Sequence, residues 1–130
     1  MATGVSQYLA NKLLDHAFRG VVYTPPTTIY AQFHTDAGDP GAAGTANISA
    51  GSTRKATTWN AAASGSIGMG GTPPETQLTA TENLKFVSFW DAPTGGNFLY
   101  SAQASVIKGG VSGDIIRIAT NSIGFTPLAA

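Results

Sequence analysis

The sequence predicts a mainly β fold, an antiparallel β-sandwich or jelly-roll-like domain with one N-terminal α-helix. Three observations carry this. Apolar residues recur every four positions within 1–20 and nowhere else. From residue 27 onward the side chains alternate with period two. Turns rich in Gly and Asn, such as Thr94-Gly95-Gly96-Asn97 and Lys108-Gly109-Gly110, separate the alternating stretches.

The helix comes first. Val5, Leu9, Leu13 and Ala17 form its stripe, with Tyr8, Leu14 and Phe18 beside them. Ser6 or Thr3 can cap its start, and Gly20 stands where a left-handed terminating residue is expected. Asp15 and Arg19 are spaced for an i,i+4 pair worth about 0.3 kcal/mol. The stripe is expected to bury Val5, Leu9 and Leu13 against the β domain or a neighbouring subunit.

The β region spans 27–126. In 27–35, Ile29, Ala31 and Phe33 share one face and Tyr30, Gln32 and His34 the other. Residues 54–61 alternate through Thr57 and Trp59. Leu84, Phe86, Ser88 and Trp90 form a further face, opposed by Val87 and Phe89. Candidate strands follow at 98–107 and 114–120, with 121–126 continuing the last one past a bend at Gly124. Two stretches read as long loops. Residues 36–53 hold one large apolar side chain, Ile48, and 65–76 hold Gly68-Met69-Gly70-Gly71 and Pro73-Pro74. Such loops are expected to lie on a partner and to be mobile without one. At 130 residues with no internal repeat, 1–130 is expected to be a single domain.

Composition narrows the function. Seven basic and seven acidic side chains give zero formal charge, and only 11% of residues are charged against a usual ~25%. Residues 1–65 and the remainder each stay within one unit of neutrality. No basic stripe is available for nucleic acid. Ser and Thr number 26, so hydroxyls supply much of the polar surface. A surface this poor in charge tends to associate, which points to a homo-oligomeric subunit rather than a free enzyme. The chain has no cysteine, hence no disulfide framework and no thiolate site, consistent with assembly in a reducing cytoplasm. Neither a membrane-length apolar run nor a secretory leader pattern is expected.

Candidate chemistry is sparse. The only histidines are His16 and His34. His34, Asp36 and Asp39 form the one cluster with a metal-ligand composition. Asp39-Pro40-Gly41 is also turn chemistry, and that is the preferred reading. No serine sits in a G-x-S-x-G elbow, no phosphate-binding loop is present, and the carboxylates do not pair. No catalytic, cofactor-binding or metal residue is therefore expected. Tyr30, Trp59, Phe86, Phe89, Trp90, Phe98 and Tyr100 lie in candidate strands. They suit a core better than a stacking platform for sugars or bases.

Several short segments resemble a family of tailed-bacteriophage virion proteins known as head decoration or tail fibre proteins. They are Tyr8-Leu9-Ala10-Asn11-Lys12-Leu13-Leu14-Asp15-His16, Tyr23-Thr24-Pro25-Pro26 and 29–35. Asp39-Pro40-Gly41 and Arg54-Lys55-Ala56 follow, then Phe89-Trp90-Asp91-Ala92 and Thr94-Gly95-Gly96-Asn97-Phe98-Leu99. The series runs over nearly the whole chain in order. It departs after Asn47, where the family commonly has Glu and this chain has Ile48.

The resemblance implies a non-enzymatic virion structural protein with no cofactor, bound to the major capsid protein or to tail proteins. The first expectation is a decoration or cement protein on the assembled head. The second is a tail fibre or baseplate-associated protein with a host-receptor-binding face. An enzyme is third and has no constellation behind it.

Overall fold

The computed structural model describes residues 3–125. Helix α1 spans Gln7–Arg19. Eight strands follow among the described residues: β1 Ile29–Thr35, β2 Lys55–Trp59, β3 Ser66–Gly70, β4 Glu75–Gln77, β5 Glu82–Trp90, β6 Phe98–Gly110, β7 Ile115–Arg117 and β8 Ser122–Gly124. All paired strands are antiparallel. Six form one sheet in the order β6-β5-β1-β2-β3-β8, and β4 pairs with β7 in a small second sheet. The large sheet curls. Tyr100 on its β6 edge donates from its hydroxyl to Asn121 Oδ1 at 3.3 Å, just before the β8 edge. The expected class, mainly antiparallel β with one N-terminal helix, is what the chain adopts.

The β1–β5 pair is the centre. Its register sets Ala31 opposite Phe89 and Phe33 opposite Val87. These four apolar side chains share one face and are buried. The curl brings Trp59 and Met69 over them, and Ile118 joins from the chain just past β7. Phe89 meets Trp59 edge-on at 5.6 Å and stacks with Tyr100 at 5.3 Å. Leu78, Phe33 and Leu84 continue this core toward Ile116. Burial of large apolar side chains, about 1.5–3 kcal/mol each, is what holds the curl closed.

The opposite face of β1–β5 carries Gln32, His34, Ser88 and Trp90, and it is buried too. Segment 36–53 covers it. That stretch lacks regular strands, as expected, but the chain itself ties it down. Thr35 N donates to Asn47 O, Ser49 N to Phe33 O, and Ala46 N to Pro40 O, at 2.8–3.1 Å. Ile48, the departure residue, bridges His34 through its backbone and leaves its side chain half exposed. Gly44 packs face-on against Phe98. Its φ of +73° is left-handed, and a Cβ there would lie 2.5 Å from the ring. The expectation of a partner-dependent loop is thus corrected: backbone hydrogen bonds anchor a segment that has almost no apolar side chains.

Three further expectations change. Residues 65–76 are not a loop, since they contain β3 and the start of β4. Glycine lowers strand propensity, but the ladder uses backbone groups, and β3 pairs with β2 and β8 on its two sides. Strand 114–120 shortens to β7. Residues 122–124 do not prolong it but cross to the large sheet as β8, and position 126 lies outside the described residues.

The third change concerns the helix. Its caps are as expected: Ser6 Oγ accepts from Leu9 N, and Gly20 is left-handed at φ 68°. Arg19 and Asp15 pair at 3.2 Å. No helix residue is buried, however. Val5 and Leu13 are exposed and Leu9 is only partly covered. The helix hangs from the edge of the sheet, where Ser6 N donates to Leu99 O and Ser101 N to Gly4 O. An edge attachment buries far less than packing across a sheet face would.

Candidate functional site

The residues weighed as metal ligands do not act together. His34 is fully buried, with both ring nitrogens engaged. Nδ1 donates to Ala46 O at 2.7 Å. Nε2 accepts from the Ser88 hydroxyl at 2.7 Å, and Ser88 Oγ accepts from Trp90 Nε1 at 2.8 Å. The carbonyl partner puts a proton on Nδ1, and in the neutral ring Nε2 is then the acceptor. Burial holds its pKa below the usual value, partly opposed by the Ala46 carbonyl. Asp39 Oδ1 accepts from Gly41 N at 2.9 Å, the turn geometry expected of Asp-Pro-Gly, while its Oδ2 is buried without a partner. Asp36 lies on the surface and accepts from Asn83 Nδ2.

His34 therefore clamps segment 36–53 onto the sheet. A second clamp is Arg54. Its guanidinium lies 3.8 Å over the Trp90 ring and donates to Ala92 O at 3.0 Å and Gly95 O at 2.6 Å. It fixes the 91–97 turn, whose Asp91 accepts from Asn97 N and Nδ2. Burial lowers the Arg54 pKa, and Asp91 opposes the shift.

The aromatics divide. Phe89, Trp90 and Phe98 are core, while Tyr30, Trp59, Phe86 and Tyr100 stay partly exposed. Trp59 and Tyr100 reach an open cleft of about 650 Å³ between the sheet, α1 and the extended chain at 23–28. Leu9, Tyr23, Pro25 and Phe89 also line it, and no lining residue is charged. Two polar side chains of its walls bond within the wall itself. Trp59 Nε1 donates to Thr57 Oγ1, whose hydroxyl donates to Ile29 O. Burial raises the Tyr100 pKa, opposed by the Asn121 hydrogen bond. Tyr23 is raised by burial, then by Tyr8 and Asp91. Both phenols stay neutral at physiological pH, so the cleft offers apolar faces to an uncharged occupant.

Two of the other places where large apolar side chains are exposed bear on assembly. One is the N-terminal arm, with Leu14, Phe18, Val21 and Val22. The other is the far end of β6. Between the pairs Leu84–Lys108 and Phe86–Gln103, β6 carries four residues, 104–107, against one on β5. This bulge pushes Val106 and Ile107 into solvent.

A family model described as podophage GP4 fiber I protein gp80 matches residues 4–126. The chain belongs to this family. It is a phage structural protein of fibre type, and so a virion component that associates with other virion proteins. The match covers α1 and all eight strands. It favours the tail fibre expectation over head decoration. No curated protein matches the chain. Sequence reasoning reached the family through scattered short segments, but it missed the cleft. Its walls come from α1, 23–28 and all six strands of the large sheet, which no local pattern brings together.

Proposed function

We propose that this chain is a non-enzymatic structural component of the phage tail fibre apparatus, assembled with other virion proteins and with further copies of itself. The observation that carries the reading is the fibre-family match over residues 4–126. The exposed surface supports it. With zero formal charge and several exposed apolar patches, contacts rest on area and backbone hydrogen bonds rather than on long-range steering. The uncharged cleft with Trp59 and Tyr100 on its walls supports a host-receptor-binding face as part of the same role.

Phage lacking this chain test the proposal. Intact, filled heads that adsorb poorly to host cells are the expected outcome. Heads that burst or shed their shell while adsorption is normal would return the head-decoration reading.

A further inference from the structure

We propose that the exposed face of α1 and the chain just after it is the surface through which a second copy of this protein docks. The inference deepens the self-association in the proposed function and rests on it. Phe18 is 82% exposed, Val22 80% and Leu14 57%, and Val5, Leu13 and Val21 are each exposed as well. Half of the exposed large apolar residues among those described therefore fall within 5–22. A helix of 13 residues is marginal in water on its own and draws its stability from packing an apolar face. This one buries no residue in its own chain. Leu14 and Phe18 are spaced i,i+4 and project as one ridge.

Area and charge point to the occupant. Taking roughly 150–200 Å² for each fully exposed residue, the five side chains from Leu13 to Val22 present about 500 Å² of apolar surface. A standard interface takes about 800 Å² from each partner, and homodimer interfaces are about two-thirds apolar. One such patch against its own copy thus meets the requirement without help from elsewhere. The patch carries few charges. Asp15 pairs with Arg19 at 3.2 Å, which leaves Lys12 as the one lysine or arginine of the helix without an acidic partner. A two-fold contact therefore sets at most one pair of like charges against each other. A self-complementary patch is what a two-fold contact needs.

The test measures the molar mass of the full chain against concentration by sedimentation equilibrium. Phe18→Gln with Val22→Gln is the perturbing pair. Both side chains are exposed, so the variant keeps its fold, checked by circular dichroism and melting temperature. Val106→Gln with Ile107→Gln is the control at the far end of β6. The wild type should form a defined oligomer, and the Phe18/Val22 variant should weaken it at least about tenfold while the control does not. A monomeric wild type at the highest soluble concentration would overturn the proposal. So would unchanged assembly in the Phe18/Val22 variant, or loss of assembly in the control. Incorporation into particles separates the two readings. A monomeric chain still found on the tail sinks the second-copy surface alone. A self-associating chain absent from the tail sinks the fibre role alone.

Discussion

Replacing His34 by Leu should remove the clamp that holds segment 36–53 on the sheet. The substitution is close in volume, so the cavity contribution is small. The cost lies in the polar partners. The Ala46 carbonyl loses the Nδ1 donor at 2.7 Å, and the Ser88 hydroxyl loses its acceptor at 2.7 Å. Each buried group left unpaired costs about 1–3 kcal/mol, so His34→Leu should cost about 2–6 kcal/mol. That is a large share of the ~5–15 kcal/mol typical of a domain. With a urea slope of about 2 kcal/mol/M, the midpoint should fall by about 1–3 M. Because Ala46 belongs to the covering segment, amide exchange should rise at Thr35 and Ser49, whose N–H groups donate to Asn47 O and Phe33 O across the seam. Ser88→Ala should be costly too, and the double variant should lose less than the sum of the singles, since both break one network. A midpoint within error of wild type, with unchanged exchange at Thr35 and Ser49, would refute the clamp.

The same histidine gives a pH signature. Its folded pKa lies below the unfolded value near 6.5, so the unfolded chain binds the extra proton. The stability from neutral His34 is complete above about pH 6.5 and declines as pH falls below it. Denaturation midpoints at pH 7.5 and 5 should differ in wild type by more than in His34→Leu. Leu78→Ala should cost about 2–5 kcal/mol and Leu13→Ala under about 1 kcal/mol in thermal melts of the isolated chain, because only Leu78 is buried. Gly44→Ala should lower the melting temperature, since it strains a left-handed φ and drives a methyl into Phe98. A chelator should leave the melting temperature unchanged, as both His34 nitrogens already have protein partners.

The parts of this fold that announce themselves are those whose side chains face two different environments. Ile29, Ala31 and Phe33 alternate cleanly because one face meets the curled sheet, and β1, β5 and β6 are readable for that reason. The helix is readable from its stripe and from Ser6 and Gly20. What covers that stripe is not, because amphipathicity reports an apolar face and not its partner. His34 alternates like a surface residue, yet it is buried, since its cover is made of Gly, Ala, Ser and Asp held by backbone hydrogen bonds. Strand β3, Ser-Ile-Gly-Met-Gly, looks like a loop by composition, because its place is set by the backbone ladder to β2 and β8. The cleft is illegible for a related reason, as its aromatic walls converge only once the sheet curls.

The central claim is that this chain is a tail fibre component, and its position on the particle tests that most directly. Intact phage can be labelled with gold-tagged antibody raised against the purified chain and imaged by electron microscopy. The account predicts label confined to the fibres at the tail end. Label spread evenly over the head shell, with none at the tail, would contradict it.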